Sequence, residues 1–250
     1  MSMQPFELIG ADGKRLKGDR ADGTSRQILF ITGFLSKRWG NKSKALAQWC
    51  QERGWGFCCY DVRGFGDSEG QFTDYTLCDW IADARTVLDS LKPGLPITIV
   101  GNSLGSWIAW LVAQEFLLVE ELILIAPAFN MMGERTKTIS KERLDHWYTA
   151  GWMPWDDDPL HKDWPLSWKW VEESERSWAK TFDMVRQVRT TILHGVEDAV
   201  IPPEGSRRFA DELRRRDPSF PLDLRLISGD HRLSSPEHLE LFRRMVMRQT

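Results

Sequence analysis

The stretch GNSLG (residues 101–105) decides the fold prediction because of what flanks it. An apolar run rich in β-branched residues, PITIV (96–100), precedes it, and a helical pattern, LGSWIAWLVAQEF (104–116), follows directly. A serine between two glycines, at a turn from strand to helix, is typical of a nucleophile held on a strained backbone. The motif alone would also suit a serine in a small-residue loop. Its context predicts that Ser103 is a nucleophile.

Further runs of the same apolar character occur along the chain, at 26–32, 56–62, 120–126, 188–195 and 221–228. Most are apolar on both faces, which is typical of the buried strands of a parallel sheet. Helical patterns lie between them, at 42–54, 79–91, 104–116, 204–216 and 236–247. This alternation predicts an α/β fold with a mostly parallel central sheet flanked by helices on both faces.

The alternation is interrupted between residues 129 and 184, where no strand is predicted. The segment is rich in tryptophan, at positions 147, 152, 155, 164, 168, 170 and 178. Its acidic run WDDDP (155–159) is expected to stay solvated, with the tryptophan faces turned inward. We predict one domain over residues 1–250, with residues 129–184 forming a helical cap, or lid, inserted within it.

A serine hydroxyl needs a base to become a nucleophile. His231 follows the last predicted strand, so it lies at the same carboxyl edge of the sheet as Ser103. Asp198, after the preceding strand, is expected to orient His231, whereas Glu197 and Asp230 should point elsewhere because of their neighbouring positions. The other histidines are assigned to packing, the insertion or the surface: His146, His161, His194 and His238.

Acyl transfer also needs hydrogen-bond donors for the oxyanion that develops on the substrate. Leu104, directly after Ser103, offers one backbone N–H. The second is expected from Phe34, in the turn TGFLS (32–36) after the first predicted buried strand. Many such turns carry a histidine where Thr32 stands, but a backbone donor does not require an imidazole.

Composition excludes several classes of function. The net charge of −3 and the pI near 6 offer no basic face for nucleic acid. No run approaches the ~20 apolar residues of a membrane span, and the N-terminus does not resemble a signal peptide. The four cysteines have no metal or redox spacing. We expect a cytoplasmic protein without a metal or cofactor.

These motifs resemble the α/β-hydrolase superfamily over nearly the whole chain. More narrowly, they resemble the abhydrolase group that contains an acyl-protein thioesterase and acyl-glucuronide esterase, with bacterial relatives. The matching stretches are GNKSKALAQWC (40–50), DVRGFGDSEGQFTDYTLCDWIADARTVLD (61–89), ILHGVEDAVIP (192–202) and GDHRLSSPEHL (229–239). The group usually has Ser where Asn102 stands and Gly where Ser106 stands. The resemblance implies a triad and two oxyanion donors: Ser103, Asp198 and His231, with Phe34 and Leu104.

The expected function is that of a serine esterase or thioesterase, which cleaves small acyl esters or thioesters with apolar acyl groups through an acyl-enzyme intermediate. Two alternatives use the same fold. One is a peptidase or a carbon–carbon bond hydrolase with the same triad. The other is a ligand-binding receptor with little turnover. The sequence predicts no particular oligomeric state.

Overall fold

The computed structural model describes residues 2–155, 164–183 and 185–248 of the chain. In chain order its strands are β1 (Gln4–Ile9), β2 (Arg15–Ala21), β3 (Gln27–Ile31), β4 (Gly56–Asp61), β5 (Ile97–Asn102), β6 (Val119–Ile125), β7 (Trp152–Pro154), β8 (Pro165–Ser167), β9 (Arg189–Gly195) and β10 (Leu222–Ile227). The helices are α1 (Asn41–Arg53), α2 (Leu77–Asp89), α3 (Leu104–Ala113), α4 (Met131–Thr136), α5 (Lys141–Ala150), α6 (Lys169–Ala179), α7 (Glu204–Arg216) and α8 (Pro236–Val246).

Eight strands form the central sheet, in the order β1-β2-β4-β3-β5-β6-β9-β10. The pairs β1–β2 and β2–β4 are antiparallel, and all the others are parallel. The last residue of β5, Asn102, pairs with Ile125 of β6, and Ile125 pairs with Leu193 of β9. The carboxyl ends of the parallel strands therefore meet at one edge, and the predicted α/β architecture is confirmed.

Successive residues of the buried strands enter two separate cores, which explains why these strands are apolar on both faces. Leu29 and Ile31 of β3 face the larger core, which receives Trp80 of α2 and Trp107 of α3. Ile28 and Phe30 of the same strand face the smaller core, where α1 and α8 pack. The two helical layers hold the carboxyl edge of the sheet in place from both sides.

The N-terminal pair β1 and β2 was not predicted from the sequence. Both strands carry many charged and exposed residues, and their main buried anchors are Phe6 and Leu16. The Asp12-Gly13 turn between them is the signal that could have found the pair, because Gly13 has a φ of 81°.

A segment that we name the insert, residues 129–183, leaves the sheet after β6 and returns before β9. Its described part contains α4, α5 and α6, and also the antiparallel pair β7–β8, which was not predicted. The indole nitrogens of Trp107 and Trp110 donate hydrogen bonds to Thr181 of the insert, at 3.3 and 3.0 Å. The acidic residues 156–158, expected to be solvated, lie outside the described residues.

No helix in the described ranges is long and apolar enough to cross a membrane.

Two glycines allow α3 to start directly from the end of β5. A Cβ on Gly105 would lie 2.3 Å from the carbonyl oxygens of Ile31 and Thr32, and a Cβ on Gly101 would lie 2.4 Å from the Cα of Ser106. The obstacles are backbone atoms, which cannot move aside as a flexible side chain could.

We predict that Gly105→Ala destabilises the protein by about 1–3 kcal/mol, since overpacking forces the backbone to shift. The control is Gly205→Ala in α7, where an added Cβ meets nothing within 4 Å. That change should stabilise the helix by up to ~1 kcal/mol. Urea unfolding measures both, and equal effects would contradict the packing argument.

Candidate active site

Ser103 occupies the turn between β5 and α3 in a backbone conformation that is rare for a residue with a side chain. Its φ is 54° and its ψ is −121°. The turn is fixed by hydrogen bonds on both sides, since the Ser103 N–H donates to Ile125 at 2.8 Å and its carbonyl accepts from Ser106 and Ala128. The residue is 7% exposed. Such strain is characteristic of functional sites and presents the side chain at the sheet edge.

The turn after β3 lies against Ser103. A Cβ built on Gly33 would be 3.1 Å from the Cβ of Ser103, so Phe34 follows at the side of the serine. Within the described ranges, the backbone N–H groups of Phe34 and Leu104 donate to no acceptor. Leu104 is also the first residue of α3, where the helix dipole adds positive potential. Two free donors and a helix terminus therefore border the serine, and the oxyanion role of the two donors stays a prediction.

Asp198 and His231 come together from the loops after β9 and β10. The Oδ2 atom of Asp198 lies 2.7 Å from Nδ1 of His231. Asp198 is buried, and its Oδ1 atom accepts hydrogen bonds from the backbone N–H groups of Val200 and Ile201 at 2.9 and 2.8 Å. Because Nδ1 faces a carboxylate, it carries the proton, which leaves Nε2 as the basic nitrogen of the ring.

The two rival carboxylates have other partners. Glu197 bonds to the Ser228 hydroxyl and to the backbone N–H of Gly229. Asp230 accepts hydrogen bonds from the N–H groups of the two residues after His231. Both brace the loop that carries the imidazole, and neither has a hydrogen bond or ion pair with the ring in the described structure.

His194 is a second partner of Asp198, although the sequence suggested only a packing role for it. Its Nε2 lies 3.1 Å from Oδ2 of Asp198 and 2.9 Å from the Ile201 carbonyl, and its Nδ1 lies 2.7 Å from the Ser206 hydroxyl. Two acceptors at Nε2 require that this nitrogen carries a proton. The spacing of four residues between His194 and Asp198 was the available signal, but the contact depends on how the intervening turn folds back.

These contacts set the ionisation of Asp198. Burial raises the pKa of the carboxyl, but hydrogen bonds from His194, from His231 and from the Ile201 backbone outweigh it and hold the pKa well below its usual range. A carboxylate that stays charged can orient the imidazole and stabilise its protonated form.

The predicted triad also needs a contact between the Ser103 hydroxyl and His231. Among the hydrogen bonds of the described residues, none joins these two side chains. Contacts of this kind commonly tighten when substrate binds. The three side chains nevertheless come from the ends of β5, β9 and β10, which share one edge of the sheet.

Aromatic rings surround the Phe34 side chain. Trp155 and Trp170 from the insert lie 5.2 and 5.4 Å from it, centroid to centroid, and Trp80 and Phe72 from the body of the domain lie 5.7 and 5.8 Å away. The insert therefore reaches the turn that bears one predicted oxyanion donor.

The other insert tryptophans differ in their surroundings. Trp168 packs on Trp147 and Tyr148 within the insert, Trp178 packs on Phe129 and Phe182, and Trp164 packs on Phe65 and Phe72. Trp152 is 49% exposed, contrary to the expectation that all these rings turn inward.

The described residues form no candidate metal site. Within the described ranges, no three His, Cys, Asp or Glu side chains are placed to hold a metal ion.

Residues 25–222 match the family described as serine aminopeptidase, S33, also termed Hydrolase_4. The chain belongs to this family. Membership confirms the predicted assignment to the serine hydrolases of the α/β-hydrolase superfamily.

The relatives of the chain include a mouse (Mus musculus) protein named palmitoyl-protein thioesterase ABHD10, mitochondrial. It is 28% identical over 239 residues, which cover 94% of this chain and 77% of the relative. The solved structure of mouse alpha/beta hydrolase domain-containing protein 10 has a TM-score of 0.83 at 24% identity, covering 97% of this chain and 96% of that one. A ferulic acid complex of Est1E from Butyrivibrio proteoclasticus has a TM-score of 0.75 at 24% identity, with 96% of each chain covered. These structures show the α/β-hydrolase fold, as predicted.

We predict that Asp198→Asn lowers the free energy of unfolding at pH 7, and that the deficit shrinks as the pH falls. A carboxyl whose pKa is lowered by folding stabilises the folded state above its unfolded-state pKa of about 3.9. That contribution disappears as the pH falls through the lowered folded-state value. Urea unfolding in steps from pH 7 to pH 3 tests this.

The control for losing one negative charge is Asp211→Asn, at an exposed carboxylate on α7. A deficit that grows on acidification, or one that Asp211→Asn reproduces, would contradict the role given to Asp198.

Proposed function

We propose that this protein hydrolyses carboxylic esters or thioesters of apolar acyl groups, with Ser103 as nucleophile, His231 as base and Asp198 as the orienting acid. The observation that carries the proposal is the 2.7 Å contact between Asp198 and His231 at the sheet edge where the strained Ser103 emerges. The chain order of serine, acid and histidine is the order found in α/β-hydrolases.

In the proposed reaction, Nε2 of His231 removes the hydroxyl proton as Oγ of Ser103 bonds to the substrate carbonyl carbon. The carbonyl electrons move onto oxygen, where the N–H groups of Phe34 and Leu104 stabilise the charge. Collapse of this intermediate breaks the bond to the alcohol or thiol, which leaves with the proton from His231. A water molecule then repeats the sequence on the acyl-enzyme and releases the carboxylic acid.

The insert is proposed to act as a cap that selects the acyl group. Trp155 supports this role, because it is half-buried and lies beside Phe34, next to the position of the reacting carbonyl. Trp170 is 1% exposed and packs on both Phe34 and Trp80. It is therefore better placed to support the neighbouring rings than to contact substrate. An apolar aromatic wall favours hydrocarbon acyl groups over charged ones.

The names of the relatives agree with this substrate class. The mouse relative is named a palmitoyl-protein thioesterase, and Est1E was solved with ferulic acid bound. The mouse relative's name also places that protein in mitochondria. A cytoplasmic location for this chain stays a prediction.

A peptidase remains a second candidate because the family description names a serine aminopeptidase. An aminopeptidase must recognise a free amino group, and a carboxylate is the usual partner for such a group. The described side chains that pack on Phe34 are aromatic rings, which carry no carboxylate, and this favours the ester hypothesis.

A fluorophosphonate probe tests the nucleophile. It should add once to each chain, and Ser103→Ala should abolish both the labelling and the hydrolysis of p-nitrophenyl esters and acyl-thioesters. An aminoacyl amide assayed beside them separates the peptidase candidate. Labelling that persists in Ser103→Ala would overturn the assignment.

The same assays test the proposed role of Asp198 as the orienting acid. Asp198→Asn should lower kcat by up to ~10⁴-fold, the magnitude known for this change in a serine protease. Glu197→Gln, at the adjacent carboxylate, should cost far less.

Chain-length selectivity tests the cap. The kcat/KM for p-nitrophenyl esters should rise from acetyl to octanoyl, because each buried methylene contributes up to ~0.8 kcal/mol until the pocket is full. Trp155→Ala should flatten this rise, whereas the control Trp168→Ala, whose ring packs within the insert, should leave the ratio unchanged. Equal kcat/KM for both esters in the wild type would contradict an acyl-selective cap.

A further inference from the structure

Lys42 is a buried lysine that the proposed reaction does not use. It is the second residue of α1 and is 9% exposed. Its ammonium group donates a hydrogen bond to the backbone carbonyl of Arg232, the residue directly after His231. A side chain from α1 thus reaches the loop that presents the proposed base.

This ammonium group has no salt bridge with any carboxylate in the described ranges. The charges that act on it from the loop are those of Asp230, which favours its protonated form, and of Arg232, which disfavours it. On its own helix Lys44 is exposed, and the ion pair between α1 and α8, Glu52 with Arg243, lies at the far end of α1. Burial dominates and lowers the pKa of Lys42 to about 8.

A buried charge without an ion-pair partner normally costs stability. The hydrogen bond to the Arg232 carbonyl does not by itself explain why a charge is buried here. The same carbonyl also accepts a hydrogen bond from the Ser234 hydroxyl at 2.9 Å. Removing the ammonium group would leave no orphaned acceptor. Satisfying the backbone is therefore not a sufficient reason for a lysine at this position.

The loop itself needs support from outside. Gly229 and Leu233, which flank the imidazole on either side, both have positive φ values, of 146° and 43°. Glu197 holds the loop before His231, through Gly229, and Asp230 closes a turn within it. Lys42 holds the side that follows His231 from a separate helix.

We propose that Lys42 is a positioning residue, which in its charged form fixes the backbone after His231 and so sets the reach of the imidazole toward Ser103. The role rests on the proposed function, since it acts through the proposed base. It requires the ammonium group to remain protonated, so catalysis should fall at alkaline pH as Lys42 loses its proton.

The test compares Lys42→Met with Lys44→Met, its exposed neighbour on α1. Lys42→Met should lower kcat for a p-nitrophenyl ester roughly 10- to 100-fold, with KM little changed, because a misplacement of about 1 Å costs that much. Its melting temperature should stay equal or rise, since the desolvation penalty of the charge is gone. Lys44→Met should match the wild type in every measurement.

The pH profile of kcat supplies the readout that a structural role would not affect. The wild type and Lys44→Met should lose activity above about pH 8 while circular dichroism shows a folded protein, and Lys42→Met should lack this alkaline decline. A lower melting temperature with unchanged kcat in Lys42→Met would mean a structural role and would overturn the proposal. So would a wild-type profile that is flat to pH 10, which can be measured even if the variant does not fold.

Fluorophosphonate labelling separates this proposal from the proposed function. If the wild type is labelled at Ser103 and Lys42→Met is labelled equally fast, only the role of Lys42 fails. If the wild type is not labelled at Ser103, the proposed nucleophile fails, and the role of Lys42 fails with it.

Discussion

The positive-φ backbone conformation of Ser103 is the constraint on which the rest of the site depends. A residue with a side chain is held at a φ of 54° because the strand before it and the helix after it are both fixed in the core. Gly105 lets α3 approach the end of β3 so closely that an added Cβ would meet carbonyl oxygens. The same close approach sets Phe34 beside the serine, so the proposed nucleophile and the proposed oxyanion donors lie at one fixed corner of the sheet.

The proposed acid and base, Asp198 and His231, are held differently, by polar contacts in loops. Asp198 has hydrogen-bond partners on both of its oxygens, from two histidines and two backbone N–H groups. A buried carboxylate with so many donors is both rigid and charged, which are the two properties needed to hold an imidazole in one tautomer. The loop that carries His231 contains strained positions and depends on side chains outside it.

Much of this arrangement followed from the sequence, since parallel strands bring their carboxyl ends to one edge. Knowing that Ser103, Asp198 and His231 follow strands was enough to expect them together. The partnership of His194 with Asp198 was not predictable in this way, because it depends on the path of the turn between them. The burial of Lys42 was not predictable for a similar reason, since it arises from a contact with a loop about 190 residues away in the chain.

Composition was a poorer guide to the insert. The tryptophan faces were expected to turn inward, yet Trp147 is fully buried, Trp152 is exposed and Trp155 lies between these extremes. Which ring reaches Phe34 depends on the short β7–β8 pair, and strands of three residues leave almost no periodic pattern to detect.

The point at which the insert joins the sheet has an evolutionary consequence. The chain leaves after β6 and returns at β9, and these two strands are paired with each other from Glu121 to Ile125 and from Arg189 to Leu193. Because β6 and β9 pair directly with each other, the sheet is continuous where the insert leaves it. A longer, shorter or differently folded segment can therefore replace the insert without separating any strands. Given the proposed role of the insert as a cap, changes confined to this one segment can give related proteins different substrates, while the proposed triad stays unaltered.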